Sequence, residues 1–138
     1  AQNAEALTGA RAEITMDDIS AERYSNRPMN QAFKDNMAAL GIEMQWPDPK
    51  KQYGSSDIGN VSIKIPAIHD YLSITDDKTV QSHTVEYAAC AATPEAIEVC
   101  IKGAKGLAMT GYDILSSEDF QREIKEYHSQ QVPDFYRQ

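Results

Sequence analysis

The chain has 138 residues, 41% of them hydrophobic, and a formal net charge of −8. This length suits one domain or part of one, and the hydrophobic share is too high for wholesale disorder. The negative charge disfavours nucleic acid and anionic membranes as partners, because both attract basic surfaces. The chain contains no run of about 18 apolar residues, so we expect no membrane-spanning helix. No signal peptide is evident at the start.

The first predicted element is the end of a helix. Residues 1–7 are rich in alanine, and Gly9 suits the position that follows a helix. Residues 11–15 then alternate apolar and polar side chains and predict a short strand. After a polar, irregular stretch, Pro28 predicts the first turn of a helix with Asn26 or Arg27 just outside it.

That second helix carries one apolar stripe and ends at Gly41; the stripe consists of Met29, Phe33, Met37 and Leu40. Alternation predicts strands over residues 42–46 and 61–65, and residues 71–74 form a further β-prone cluster. Strands that alternate with helices indicate an α/β fold, a layered sheet flanked by helices.

Two further helices are predicted in the C-terminal half. Thr93-Pro94-Glu95 combines an N-cap hydroxyl, a first-turn proline and an acidic residue. The helix that follows has an apolar stripe interrupted by Gly103 and Gly106, which we expect to pack closely against a neighbour; the stripe consists of Ile97, Cys100, Ile101, Ala104, Leu107, Ala108 and Leu115. Residues 116–119 start a last helix, which Pro133 ends.

The two cysteines, Cys90 and Cys100, have nine residues between them, which fits no zinc or redox spacing. We expect them to be buried, reduced thiols, which is compatible with a cytoplasmic location.

His83 is the best chemical candidate, because imidazole is a common ligand of zinc and similar metals. One histidine does not make a site, since a catalytic zinc takes about three protein ligands. His69 is expected to end a strand, and His128 is expected to be exposed in a polar helical tail.

The segment from Gly54 to Ser62 is rich in small and hydroxylated residues and has two interpretations. It is either a turn whose hydroxyls satisfy their own backbone or a cradle for a carboxylate or phosphate. It contains neither a Walker motif nor a nucleophile elbow.

This segment, together with Pro66-Ala67-Ile68 and with His83-Thr84-Val85-Glu86-Tyr87, resembles the C-terminal part of metal-dependent amidohydrolases of the M20 peptidase family. The nearest resemblance is to the branch with aminobenzoyl-glutamate utilisation proteins, N-acyl-amino-acid hydrolases and aminoacylase-1-like proteins. The ending, residues 104–110, and the opening, residues 5–10, also fit the family.

The resemblance implies a zinc-peptidase-like catalytic domain interrupted by a lid domain. Residues 1–9 would end a lid-domain helix, and residues 10–138 would form the C-terminal part of the catalytic domain. The family uses two metal ions, usually zinc, to hydrolyse the amide bond of an N-acyl or aminobenzoyl amino acid or a small peptide. His83 would bind one metal ion, and the side facing the substrate carboxylate would be lined by Gly54, Ser55, Ser56 and Asn60.

The other ligand motifs of the family and its general base are missing from this chain, which contains no His-x-Asp, Cys-x-His or Glu-Glu. We therefore expect the chain to hold no catalytic residue, to be inactive alone, and to need an N-terminal part of the same protein. A fragment of this kind predicts exposed apolar surface where the other part docks, and a homodimer is a further assembly to consider. The alternative is a non-catalytic α/β module that binds a partner or an anionic ligand.

Overall fold

The computed structural model describes residues 2–16, 20–48, 50, 54 and 56–136, and within these residues the chain is helical. The α-helices are α1 (Gln2–Thr8), α2 (Arg27–Ala39), α3 (Ile58–Ser62), α4 (Val85–Ala91), α5 (Pro94–Ser116) and α6 (Glu118–Gln131). A short 3-10 helix, Asp134–Tyr136, follows α6. The described residues contain no sheet; one isolated parallel bridge pairs Ser25 with Ala67.

The predicted α/β fold with a layered sheet is therefore wrong. Residues 11–15, 42–46 and 71–74 have no regular secondary structure, and residues 61–65 run through the end of α3. Alternation specifies which side chains would share a face, but a strand persists only when a neighbour takes up its backbone N–H and C=O groups. In the described part of the chain only the Ser25–Ala67 bridge supplies such a partner.

The helix boundaries, in contrast, follow the local signals. Asn26 caps α2 by accepting a hydrogen bond from the Met29 N–H at 3.3 Å, with Pro28 in the first turn. Thr93 accepts from the Ala96 N–H at 3.2 Å at the start of α5, and Ser117 accepts from the Phe120 N–H at 3.2 Å at the start of α6. The predicted end of the first helix is also confirmed, because Gly9 follows α1 with a φ of 71°.

The core lies where α2 packs against α5 and α6. Its buried apolar side chains are Phe33, Met37, Ala96, Ile124 and Val132. The predicted close packing of the α5 glycines is confirmed: a Cβ at Gly106 would overlap the sulfur of Met37 and lie 3.0 Å from Phe33 Cε2. The bare backbone of α5 thus lets α2 approach closely enough to exclude water.

The apolar stripe of α5 faces away from this core. Its large members are strongly exposed, Ile97 by 54%, Ile101 by 51% and Leu115 by 81%. The expectation of buried cysteines is also wrong, because Cys100 is exposed on the same helix and Cys90 is half-buried. The face of α5 that carries the glycines packs in the core, because small residues allow the tighter helix contact. The larger apolar side chains are therefore left in solvent.

None of the described helices is both long enough and apolar enough to cross a lipid bilayer.

Candidate functional site

The first half of the Gly54–Ser62 segment is a turn that leads into α3. Ser55 lies outside the described residues. Gly54 is exposed and Ser56 is half-buried. The Ser56 hydroxyl accepts from the Ile58 N–H at 3.3 Å, and its carbonyl accepts from the Gly59 N–H at 3.0 Å.

The second half of the segment holds residues 21–24 against α3. A Cβ at Gly59 would overlap the carbonyl oxygen of Ala21, so only glycine allows this approach. Asn60 Oδ1 accepts from the Ala21 N–H at 2.7 Å. The Ser62 hydroxyl is fully buried, accepts from the Tyr24 N–H at 2.9 Å and donates to the Gly59 carbonyl at 2.8 Å. Two of the candidate side chains, Ser56 and Asn60, thus bond to backbone groups.

His83 lies in an exposed turn before α4 and has a φ of 66°, in the left-handed region. The next residue fixes this turn, because the Thr84 hydroxyl donates to the Gln81 carbonyl at 2.8 Å and accepts from the Tyr87 N–H at 3.1 Å. Among the described residues, no hydrogen bond, ion pair or ring contact links the His83 side chain to the Gly54–Ser62 segment.

A metal site would need further ligands beside His83. No group of three or more His, Cys, Asp or Glu side chains in the described ranges is arranged to hold a metal ion. The described donor groups therefore do not form a metal centre by themselves, and His83 stands as one candidate ligand.

A cavity of about 670 Å³ is lined in part by Arg23 and Ser25, and we call it the 23/70 pocket. Its walls come from residues 23–30, 44–48 and 69–71, which α2 and the Ser25–Ala67 bridge bring together. The side chains used below are Arg23, Asn30, Trp46, His69, Asp70 and Tyr71.

Asp70 is a half-buried carboxylate in this pocket. Asn30 Nδ2 donates to both of its oxygens, at 3.0 and 2.9 Å. Asn30 is oriented in turn by Ser25, whose hydroxyl donates to Asn30 Oδ1 at 2.8 Å. Burial raises the pKa of Asp70, and the hydrogen bond from Asn30 and the positive charge of Arg23 oppose that rise. The hydrogen bonds from Asn30 thus hold the carboxylate in place, while burial disfavours its charged form.

Arg23 supplies the positive charge of the pocket. Its Nη1 lies 3.3 Å from His69 Nδ1. Because a guanidinium can only donate, Nδ1 must be the acceptor, which places the proton of the neutral imidazole on Nε2. The His69 ring is stacked on Tyr71 with centroids 4.8 Å apart. This stack and the Arg23 bond orient the imidazole.

Trp46 is an aromatic lining residue of the pocket and is 42% exposed. The guanidinium carbon of Arg27 lies 5.0 Å above its ring, a cation–π contact that orients the indole. The tryptophan is the only one in the chain.

Sequence reasoning missed this pocket. It assigned His69 to a strand end, and it assigned Arg23 to an irregular stretch. The hydrogen bonds that build the pocket join residues 46 and 40 positions apart, which no local pattern reveals. The expectation for His128 was wrong as well: the residue is half-buried, and its Nε2 lies 2.8 Å from the Ser62 carbonyl oxygen.

Comparison with known proteins links the chain to peptidases. It is 34% identical over 103 residues to a human protein, Xaa-Arg dipeptidase, a match that covers 73% of this chain and 23% of the human one. It is 35% identical over 106 residues to the mouse Xaa-Arg dipeptidase, covering 71% and 24% respectively. No protein-family model matches the chain, and no solved structure matches it significantly. The chain spans about a quarter of the length of these relatives, and its similarity to them supports a relation to the M20 peptidases.

Proposed function

We propose that this chain is part of a metal-dependent M20-type peptidase that hydrolyses the amide bond of a dipeptide or an N-acylated amino acid. The similarity to two Xaa-Arg dipeptidases, over more than two thirds of this chain, carries the proposal. It makes a dipeptide ending in arginine the first substrate to test. N-acyl and aminobenzoyl amino acids come second.

His83 is the proposed metal ligand, with zinc the first metal to test. Its side chain is exposed on a turn that Thr84 fixes through two hydrogen bonds. A non-glycine residue in the left-handed region costs about 1–2 kcal/mol, and such strain is common at functional sites. When bound, the metal ions would polarise the substrate carbonyl and activate water. The contribution of this chain would be one correctly oriented imidazole.

Gly54, Ser55, Ser56 and Asn60 are the proposed lining on the side of the substrate carboxylate. An exposed glycine with no atom within 4 Å of an added Cβ leaves room for a ligand beside the backbone. Gly59 and Ser62 anchor the following helix to residues 21–24 and so give the lining a rigid support.

The remaining ligands and the general base would come from another part of the peptidase, with residues 1–9 ending its lid helix and residues 10–138 in its catalytic domain. The exposed apolar stripe of α5, with Ile97, Ile101 and Leu115, supports such docking, because a stripe of this size is costly to leave in water. A homodimer through the same stripe is the alternative assembly. The two free cysteines favour a reducing compartment such as the cytoplasm.

The test is a chimera in which this chain replaces the matching residues of human Xaa-Arg dipeptidase. We expect hydrolysis of alanyl-arginine that a chelator removes and Zn²⁺ restores. The panel also contains N-acetyl-alanine and 4-aminobenzoyl-glutamate, which separates the substrate classes.

His83→Ala in the chimera is expected to abolish hydrolysis, because it removes a metal ligand. Gln81→Ala, an exposed neighbour on the same turn, is the matched control and should retain activity. A soluble chimera that is inactive, or one whose activity survives His83→Ala, would refute the proposal.

A further inference from the structure

We propose that the 23/70 pocket binds a small zwitterion, an α-amino acid or a dipeptide, with the ligand carboxylate on Arg23 and the ligand ammonium on Asp70. The proposal does not depend on the peptidase relation: it concerns a binding site that this chain builds alone and would hold for a chain with no hydrolase activity.

The first argument is that Arg23 and Asp70 carry opposite charges in one cavity without pairing, beside a second and exposed carboxylate, Asp48. No described carboxylate lies within 4.0 Å of the Arg23 guanidinium, and no described Lys, Arg or His nitrogen lies that close to the Asp70 oxygens. Each charge is held by a neutral neighbour instead, Arg23 by His69 and Asp70 by Asn30. A zwitterionic ligand offers a partner of opposite charge to each of these two groups.

The second argument is unused hydrogen-bonding capacity. Arg23 has five N–H donors and, among the described residues, uses one on His69. The Asp70 carboxylate can accept about four hydrogen bonds and receives two, both from Asn30. The His69 Nε2–H is a further donor for the ligand carboxylate. Charge-assisted bonds of these kinds are the stronger class of hydrogen bond in proteins.

The third argument is that the charges are held in position before a ligand arrives. Ser25 orients Asn30, which orients Asp70, while the stack on Tyr71 orients His69 and hence Arg23. Burial disfavours the charged form of Asp70, so a cationic ligand group would relieve that cost. A preorganised site loses less entropy on binding than a mobile one.

The size and walls of the pocket set the class of ligand. A volume of about 670 Å³ exceeds what a single small amino acid fills and accommodates a dipeptide. Trp46 and Tyr71 offer aromatic surface to an apolar ligand side chain, which favours zwitterions such as leucine or glycyl-leucine over purely polar ones.

The experiment uses the 138-residue chain and the fluorescence of Trp46, its only tryptophan, with titration calorimetry in parallel. The probes are L-leucine and glycyl-L-leucine, compared with N-acetyl-L-leucine, which lacks the ammonium, and L-leucinamide, which lacks the carboxylate. We expect the better zwitterion to bind at least about tenfold more tightly than either single-charge analogue. The ranking of leucine against glycyl-leucine separates an amino-acid site from a dipeptide site.

Variants of the protein test the two partners separately. Arg23→Gln and Asp70→Asn are each expected to weaken zwitterion binding about tenfold or more, whereas the matched exposed controls Arg11→Gln and Asp76→Asn leave it unchanged. In the Arg23→Gln variant, L-leucinamide, which lacks the carboxylate, should bind as tightly as the zwitterion. In the Asp70→Asn variant, N-acetyl-L-leucine, which lacks the ammonium, should bind as tightly as the zwitterion.

The ligand comparison decides the case even if a variant fails to fold. Millimolar leucine and glycyl-leucine that give neither a fluorescence change nor heat would overturn the proposal. So would binding of N-acetyl-L-leucine or L-leucinamide within about threefold of the zwitterion, because the two charges of the pocket would then not be used together.

Discussion

Replacing Gly59 with alanine tests how the Gly54–Ser62 segment holds its neighbours. The added Cβ would overlap the Ala21 carbonyl oxygen and lie 2.9 Å from the Ala21 carbonyl carbon. Both are backbone atoms, so residues 21–24 must move away from α3. That movement breaks the 2.7 Å bond from the Ala21 N–H to Asn60 and the 2.9 Å bond from the Tyr24 N–H to Ser62.

The magnitude follows from opposing terms. Each lost hydrogen bond costs about 0.5–1.5 kcal/mol, and leaving the buried Ser62 hydroxyl without its backbone donor adds to that cost. Alanine in place of a helical glycine regains at most about 1 kcal/mol, and less in a short helix. We expect a net loss of about 2 kcal/mol in the free energy of unfolding, which corresponds to a fall in Tm of roughly 8 °C for a chain of this size.

The matched control is Gly111→Ala in α5, where no atom lies within 4 Å of an added Cβ. That substitution should stabilise the protein by up to about 1 kcal/mol through helix propensity alone. Urea unfolding followed by circular dichroism measures both. Equal stability of the two variants, or a Gly59→Ala protein at least as stable as the wild type, would refute the packing argument.

Three further substitutions are expected to change stability in stated directions. Ser62→Ala should cost about 1–3 kcal/mol in urea unfolding, because it leaves the Tyr24 N–H without its buried acceptor; a cost below that of Ser56→Ala would contradict this. His83→Gly should raise the free energy of unfolding by roughly 0.5–1 kcal/mol, because glycine adopts the left-handed backbone without strain. Ser82→Gly should not raise it. A lower free energy of unfolding for His83→Gly would show that the side chain supports the fold. Because the pKa of Asp70 is raised on folding, the folded protein binds more protons than the unfolded chain just above pH 3.8. The contribution of Asp70 to the free energy of unfolding therefore falls as the pH rises above 3.8. Asp70→Asn should therefore be the more stable protein at pH 7 and lose its advantage below about pH 3.8, with Asp76→Asn flat across the range; a pH-independent difference would count against the burial argument.

The Asp70→Asn prediction also separates binding from folding. The substitution is expected to raise stability at pH 7 and to weaken zwitterion binding at the same pH. A variant that lost binding because it was damaged would lose stability as well, so the opposite signs of the two changes distinguish a ligand contact from a structural role.

Local chemistry in the sequence determined where α2, α5 and α6 begin, whereas α3 and α4 were not predicted. Asn26, Thr93 and Ser117 each cap the helix that follows, because a side-chain oxygen near the first N–H groups stabilises a helix start independently of the rest of the fold. The glycines of α5 were likewise predicted to face a neighbour, and Gly106 faces Phe33 and Met37. The resemblance to M20 peptidases also came from short motifs, and the similarity to Xaa-Arg dipeptidases supports it.

Tertiary structure decided the remaining features, because they depend on partners far away in the chain. The alternation of residues 42–46 could not form a strand where no neighbouring strand takes up its backbone groups. The 23/70 pocket depends on Arg23 meeting His69 and on Asn30 meeting Asp70, and neither pair is visible as a motif. The large apolar residues of α5 lie on its exposed face. The distance between two packed helices depends on the size of the side chains between them, so hydrophobicity alone does not decide which face is buried.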